Sequence, residues 1–209
     1  MIDATKLARA PEPVVEKTVT AARFTAQAVG NGEPITLDEA KKQCRVELPD
    51  DDDYIASLIP VARQMAEGRL NRTIKQRQLE ARFDYWPSSF VLPKPPLVSV
   101  DSISYIGADG VSVDWDADSY IVSTNVEPAR ISLAYGASWP VLRNQSGAVI
   151  VRYTAGYAPE NVPAPIKQWI KLIVGTMYEN RETMSAGVQL YEMSDTFMSW
   201  LLQPYMVYE

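Results

Sequence analysis

The sequence contains no histidine among its 209 residues. Histidine is the side chain that most often acts as a general base or metal ligand near neutral pH. Its absence therefore lowers the expectation of catalysis, although enzymes can work without it. There is also a single cysteine, Cys44. An internal disulfide is excluded, and the reducing cytosol is the default compartment.

The chain lacks a surplus of positive charge, with a formal net charge of −6. A protein that grips nucleic acid through its phosphates needs an excess of lysine and arginine, so this balance argues against such a role. It does not exclude a protein that DNA merely passes. Residues 1–10 have no apolar central region, so no secretory signal is predicted. The most apolar helix is interrupted by Lys167 and Lys171, so no membrane span is predicted either.

The clearest helix lies within the stretch 155–182. Pro163 and Pro165 stand where a helix begins, since proline near the first helical position loses only an amide hydrogen that has no intrahelical partner. Gly175 lies inside this helix, and close packing of another backbone is the simplest explanation. Apolar residues then follow the spacing of one helix face over more than three turns: Ile166, Trp169, Ile170, Ile173, Val174, Met177 and Tyr178.

Two further helices are predicted near the start of a folded unit that begins at Pro34. Thr36 and Glu39 form a capping box, in which each side chain bonds the other residue's backbone amide. Cys44 shares an apolar face with Leu48, which indicates a structural thiol. The second helix follows four aspartates, and Pro60 inside it predicts a kink.

The four aspartates, Asp50–Asp53, face the positive end of the second helix's macrodipole. Stabilisation of this helix terminus is the simplest interpretation. Calcium binding is an alternative, but the glycine and the alternating ligand spacing of a calcium loop are missing. A third alternative is pairing with a basic stretch of a neighbouring subunit.

The middle of the chain has the alternating pattern of short strands separated by turn residues. Strands are predicted at 75–84, 90–92, 97–106, 111–115, 120–123, 130–135 and 148–153, with a bulge in the third and an Asp-Gly turn after it. The fold class is therefore α+β. It consists of two N-terminal helices and one long C-terminal helix packed with a short antiparallel β unit, with extended termini.

The predicted division is an N-terminal arm at 1–33, a core domain at 34–182 and a C-terminal tail at 183–209. The arm shows no sustained period. The tail is rich in aromatic residues, which often anchor protein interfaces. Docking onto another chain and folding back onto its own core are both open for this tail.

Four blocks of the chain resemble, in order, the head-tail connector or adaptor proteins of long-tailed bacteriophages. These blocks are ITLDEAKKQCRVE, DDDDYIASLIPVARQMAEGRLNR, FVLPKPPLVSVDSISYIGADG and VIVRYTAGYAPENVPAPIKQWIKLIVGTMYENRE. The resemblance covers roughly 34–182. The long arm before Pro34 and the proline inside the second helix depart from the pattern.

The resemblance implies a structural virion protein that forms a ring, often of twelve copies, below the portal protein. Such a ring extends the channel through which double-stranded DNA passes without sequence-specific binding, and it seats a head-closure or tail neck protein. The implied location is the neck of the virion, and the host cytoplasm during assembly. No reaction, cofactor or membrane is implied.

Four surfaces are hypothesised on this basis. A ring needs a heterologous interface, in which two different surfaces of each subunit meet. Opposite charge assigns Asp51, Asp52 and Asp53 to one surface and Arg63, Arg69, Arg72 and Lys75, continuing to Arg77 and Arg82, to the other. Two alternatives for these charges stay open: a solvated helix and strand face, and contact of the arginines with DNA phosphates, which the net charge argues against. A channel or seam face comprises Lys167, Lys171 and Glu179. Portal docking is assigned to Phe197, Trp200, Leu201, Leu202 and Tyr205.

Other functions are weighed against this one. Trp86, Trp115 and Trp139 could form a carbohydrate- or receptor-binding platform, although tryptophans in a sheet usually belong to a core. Asp114 with Asp116 or Asp118 could act as paired catalytic carboxylates, but no pocket signature accompanies them. Within the structural class, the alternative is another neck protein such as a head-closure or tail-completion protein.

Overall fold

The computed structural model describes residues 26–28, 32–181 and 195–208. Its helices are α1 (Leu37–Cys44), α2 (Asp52–Leu70), α3 (Ala164–Glu179) and α4 (Asp195–Leu202). Its strands are β1 (Ala26–Ala28), β2 (Arg77–Phe83), β3 (Ser89–Val91), β4 (Leu97–Ile106), β5 (Ser112–Asp114), β6 (Tyr120–Ser123), β7 (Arg130–Leu133) and β8 (Val149–Ala155). The α+β class predicted from the sequence is confirmed.

Capping residues mark where the helices begin and end. At the start of α1, the Thr36 amide donates to the Glu39 carboxylate over 2.9 Å. The Glu39 amide donates to the Thr36 hydroxyl over 3.2 Å, which completes the predicted capping box. Arg45 and Asn71 adopt left-handed backbone conformations, with φ of 56° and 52°, and end α1 and α2. Pro60 lies inside α2, and the helix continues on both sides of it.

The four helices enclose one of two apolar cores. Ile55, Leu70, Ile166 and Ile170 are fully buried there, and the predicted apolar face of α3 supplies much of the packing. Leu48 does not join this core and is 68% exposed, because the chain leaves α1 after Cys44. The predicted shared face of α1 therefore ends one turn earlier than its apolar spacing suggested.

The strands form two antiparallel sheets rather than a single unit. The larger has the order β1-β2-β8-β4-β5, and the smaller has the order β3-β7-β6. In the larger sheet, β8 pairs along its whole length with β2 and also with β4, where the register shifts between Leu97 and Ser99 and between Val100 and Ser102. These shifts are the predicted bulge.

A second core fills the space between the two sheets. Buried side chains from both sheets meet there, among them Leu79, Phe90, Ile131, Val151 and Tyr153. Because successive strand residues alternate between faces, Gln78, Glu80 and Arg82 lie on the opposite, outer face of the larger sheet.

Among the residues that the structure describes, no helix is long and apolar enough to cross a membrane. Residues 1–25 of the predicted arm lie outside the described residues. Part of the predicted arm does pair with the core, since β1 runs antiparallel to the first residues of β2.

Candidate subunit and partner interfaces

The acidic stretch at the start of α2 is tied into its own chain. The Asp51 carboxylate accepts a hydrogen bond from the Tyr178 hydroxyl over 2.5 Å and one from Arg181 over 2.9 Å. The Arg181 guanidinium lies 4.7 Å from the ring centroid of Tyr54 and 4.8 Å from that of Tyr178. The Tyr178 and Arg181 hydrogen bonds hold the pKa of Asp51 below its ordinary value. These contacts join the start of α2 to the end of α3.

The other aspartates of this stretch differ in their surroundings. Asp52 pairs with Lys41 of α1 over 2.5 Å, whereas Asp53 is exposed on the first turn of α2. Asp51, the N-cap residue, makes no side-chain capping bond to the helix. Stabilisation here comes from carboxylates near the helix dipole and from ion pairs. Within the described ranges, no group of three or more acidic, cysteine or histidine side chains could hold a metal ion.

Arg63 and Lys75, both assigned to the basic subunit surface, take part in an ion-pair network of the same chain. Arg63 is buried and donates to Glu33 over 2.7 Å and to Glu67 over 2.9 Å. Glu67 also accepts from the amides of Ile74 and Lys75, over 2.8 and 3.2 Å. The Lys75 ammonium pairs with Glu33 over 3.0 Å. These contacts hold the end of α2, the segment after it and Glu33 together.

Arg72 is the second buried arginine of the basic set. Its guanidinium pairs with Glu127 over 2.5 Å and donates to the Tyr157 hydroxyl over 2.7 Å and to the Tyr205 carbonyl over 3.0 Å. Glu127 lies in the loop between β6 and β7, and Tyr205 follows α4. Arg72 therefore connects the helical layer, the smaller sheet and the C-terminal segment.

Two residues of the predicted basic surface are buried, so fewer of its residues can contact a neighbouring subunit. Arg63 and Arg72 are each 6% exposed, so their charge is used inside the chain. Asp53 and Arg69 are exposed, and Arg69 donates to the Ser199 hydroxyl over 2.6 Å. The pairing of these charges across subunits stays a prediction, and it now depends mainly on the exposed members.

The predicted channel or seam face of α3 is partly covered. Lys167 and Lys171 are half-buried, and Glu179 is exposed.

Burial, followed by the charge of Glu179, raises the pKa of the Cys44 thiol. A raised pKa keeps the thiol protonated and unreactive, in agreement with a structural cysteine.

Gly175 has a local explanation within the helical layer. A Cβ at this position would lie 3.4 Å from Cγ of Gln43 in α1. The close neighbour is thus a side chain and not a backbone, which corrects the prediction.

The C-terminal segment folds back onto the helical core. Leu202 is fully buried, and Leu201 and Tyr205 pack against the same core. The Val207 amide donates to the Leu70 carbonyl over 3.0 Å. Trp200, by contrast, is 66% exposed. Leu202 is therefore a core residue in this conformation, and the side chain of Phe197 lies outside what the structure describes.

The tryptophans proposed as a sugar platform pack against one another. Trp86 lies 4.9 Å from Trp115 and 4.8 Å from Trp139 between ring centroids. Trp115 is 9% exposed, and the Trp86 indole donates to the Pro140 carbonyl over 2.8 Å. This arrangement is that of a core. Asp114, Asp116 and Asp118 are exposed, and Asp116 accepts from the Asp118 amide in a short turn.

Sequence reasoning missed the acidic partners of the buried arginines. Glu33, Glu67 and Glu127 lie 30, 4 and 55 positions from their arginine partners. Only the i,i+4 pair of Arg63 and Glu67 has a sequence signal. The other two pairings depend on the fold.

With the α+β fold established, the chain can be compared with known protein families and with solved structures. The model of the family described as phage gp6-like head-tail connector protein matches residues 34–104, which run from just before α1 to near the end of β4. The resemblance recognised in the sequence is confirmed by this match. No curated protein sequence matches the chain.

Solved structures share the fold over most of the chain. A chain in the neck of an empty gene transfer agent (GTA) particle, computed with C6 symmetry, is 19% identical, with a TM-score of 0.67, covering 88% of this chain and 96% of that chain. A chain in the native GTA virion has the same identity and coverage, with a TM-score of 0.69. A chain in the neck of the native particle, computed with C12 symmetry, is 19% identical, with a TM-score of 0.69, covering 90% and 96%.

Proposed function

We propose that this chain is a structural protein of a virion neck that joins a phage-like head to its tail. The observation that carries the proposal is the coincidence of two matches: the connector family model over residues 34–104, and a fold that 90% of this chain shares with 96% of a neck-protein chain. The role requires no chemical reaction. The tryptophan cluster and the exposed aspartates give no support to sugar binding or to acid-base catalysis.

The proposed assembly is a ring of copies below the portal protein. The neck in which one of the similar chains lies was computed with C12 symmetry, and a closed ring of this kind needs heterologous contacts. The net charge of −6 suits a channel along which DNA slides, because an acidic wall does not bind phosphates. Lys167, Lys171 and Glu179 are candidates for the channel wall or the seam.

Portal docking is assigned to the outward side of the C-terminal segment. Trp200 and Tyr208 are 66% and 77% exposed, although their neighbour Leu202 is buried. Exposed aromatic residues on an anchored segment are suited to act as interface hot spots. A head-closure or tail-completion protein is the second candidate function, since it also occupies the neck.

The experiment that tests the function is assembly without the chain. We expect particles made in its absence to contain filled heads and separate tails, visible by electron microscopy, and added wild-type protein to restore joining. Joined particles in its absence would contradict the role. Particles that lack DNA in the head would indicate an earlier step than neck assembly.

The docking residues are tested separately with Trp200→Ala and Tyr208→Ala together. Both side chains are exposed, so the variant is expected to fold and to lose attachment to purified portal protein in sedimentation. Val141→Ala, at a residue that is 76% exposed in the β half, is the matched control. Equal attachment of both variants would remove the docking assignment but not the neck role.

A further inference from the structure

The C-terminal segment, residues 195–208, is fixed to the helical layer by apolar and polar contacts. Its apolar residues pack on the helical core. The Val207 amide donates to the Leu70 carbonyl over 3.0 Å, which satisfies a carbonyl group that the end of α2 leaves without an intrahelical partner. A further bond, from Nε of Arg72 to the Tyr205 carbonyl over 3.0 Å, is different in kind. Arg72 is itself held by another part of the chain.

The other bonds of the Arg72 guanidinium fix its orientation. Its two terminal nitrogens donate to the two carboxylate oxygens of Glu127 over 3.1 and 2.5 Å, the forked arrangement that arginine makes with carboxylates. One of these nitrogens also donates to the Tyr157 hydroxyl over 2.7 Å. A guanidinium is planar and its N–H groups point in fixed directions. These bonds therefore determine the direction of the Nε–H group, which is the one that reaches the Tyr205 carbonyl.

Burial makes Arg72 dependent on Glu127. Arg72 is 6% exposed, and a buried charge that lacks a hydrogen-bonded counter-charge is costly. The Tyr157 hydroxyl and the Tyr205 carbonyl are neutral groups, so Glu127 supplies the compensating charge. If this carboxylate leaves, the guanidinium is expected to turn toward water. Its Nε–H group then leaves the Tyr205 carbonyl.

Glu127 is accessible from outside the molecule. Its side chain is 44% exposed, and it lies in the loop between β6 and β7, where residues 124–126 are exposed as well. The loop is joined to the residue after β3 by a bond from the Leu92 amide to the Ala129 carbonyl over 2.9 Å. Arg72 is thus a bridge between an accessible loop and the C-terminal segment.

We propose that Glu127 stabilises the docking of the C-terminal segment through Arg72. Removing its charge, or drawing its carboxylate to a basic side chain of another protein, loosens the segment that carries Trp200 and Tyr208. Coupling between two sites is reciprocal, so loosening the segment also loosens the loop. The coupling is a property of the free chain, and it neither requires nor tests the neck role.

Amide hydrogen exchange of the full chain tests this coupling. Glu127→Gln keeps the size of the side chain and removes its charge. The Val207 amide reports docking of the segment through its bond to Leu70, and we expect it to exchange at least about tenfold faster in this variant, because hydrogen bonds to charged groups are the stronger ones. Amides in the middle of α2 report on the helical core and are expected to exchange as in wild type.

Glu47→Gln is the matched control. Glu47 is also an exposed glutamate, and it lies near the opposite end of α2 from Arg72. This variant is expected to leave exchange of the Val207 amide as in wild type. Equal exchange in the two variants, or wild-type exchange in Glu127→Gln, would overturn the proposal. A rise of the same size in α2 would also overturn it, because it would show a general loss of stability.

Leu202→Ala tests the reciprocal direction, because it removes a buried side chain of the segment. The Leu92 amide, which donates to the loop at Ala129, is expected to exchange several-fold faster than in wild type, relative to the amides of β8. Trp200→Ala, at an exposed neighbour, is the control and is expected to leave the Leu92 amide unchanged. Wild-type exchange of the Leu92 amide in Leu202→Ala would show that the segment and the loop are independent, and would overturn the coupling.

Discussion

The helical layer and the larger sheet use charged side chains in opposite ways. In the helical layer, the side chains of Arg63 and Glu67 are each 8% exposed and bond each other, and Glu67 also accepts from the Ile74 amide. On the outer face of the sheet, Arg82 and Arg152 are 47% and 46% exposed where they meet Glu80. A buried ion pair is costly to break because it leaves a buried charge without a partner. Exposed pairs contribute little. Ion pairs therefore stabilise the fold in the helical layer, whereas those on the outer face of the sheet add little to stability.

The two apolar cores also differ in the kinds of side chain they contain. The helical core is mainly aliphatic, whereas the second core contains Trp86, Trp115 and Trp139 in mutual contact with Phe90 and Tyr120. Small sheets bury little area per strand, and large aromatic rings supply the missing contact area. The β half therefore depends on a few large residues and the helical half on many smaller ones.

The largest expected effect is from Trp115→Ala. Removal of this ring should leave a cavity between the sheets and lower the free energy of unfolding by about 4 kcal/mol. Urea denaturation followed by far-ultraviolet circular dichroism measures the loss. Ile170→Ala in the helical core is the comparison, with an expected loss of about 3 kcal/mol. A larger loss from Ile170→Ala would contradict the dependence of the β half on its aromatic residues.

The second prediction contrasts the two ionic networks through Glu67→Ala and Glu80→Ala. Loss of Glu67 removes one of the two carboxylate partners of the buried Arg63 and the acceptor of the Ile74 amide. The free energy of unfolding should therefore fall by about 3 kcal/mol. Loss of Glu80 affects arginines that are about half exposed, and the expected change is below about 1 kcal/mol. The same denaturation experiment measures both. Equal effects would show that burial does not separate the networks.

The third prediction concerns the C-terminal segment and compares Leu202→Ala with Trp200→Ala. The buried Leu202 side chain should contribute about 2 kcal/mol to the free energy of unfolding, the lower end for a leucine in a core. Its exposed neighbour Trp200 should contribute less than about 0.5 kcal/mol. Thermal unfolding distinguishes them. A small loss from Leu202→Ala would mean that the segment does not depend on this side chain to pack on the core.

The smallest expected effect is a pH dependence at the junction of α2 and α3. The pKa of Asp51 is lowered in the folded state by hydrogen bonds from Tyr178 and Arg181. A lowered carboxyl pKa stabilises the fold above the ordinary value of 3.8, and this contribution is lost as the pH falls through the folded value. Wild type should thus exceed Asp51→Asn in stability at pH 7, and the difference should shrink on acidification. A constant difference between pH 7 and pH 2 would contradict the assignment.

Helix and strand positions could be predicted from the sequence because their signals are local. The 3.6-residue period of α3 and the capping box at Thr36 and Glu39 each depend on residues within a few turns. The same holds for the strands, where β4 and β6 occupy the predicted ranges. The arrangement of the strands in two sheets could not be predicted, because strand order depends on pairing between distant segments such as β2 and β8.

The same distinction between local and long-range properties applies to the candidate site residues. Charge and aromatic content could be identified in the sequence, but exposure could not. Arg63 and Arg69 look alike in the sequence, yet one is 6% exposed and the other lies on the surface. Leu202 and Trp200 present the same contrast in the C-terminal segment.

By itself, the sequence determined the α+β class, the bounds of most elements and the resemblance to head-tail connectors. Only the tertiary structure decided which charges are internal, since Glu33 and Glu127 reach Arg63 and Arg72 through the fold. It also decided that Leu202 is core whereas Trp200 is 66% exposed. The physical reason is that hydrogen bonding and apolar period act over a few residues, whereas burial depends on which distant segments pack together.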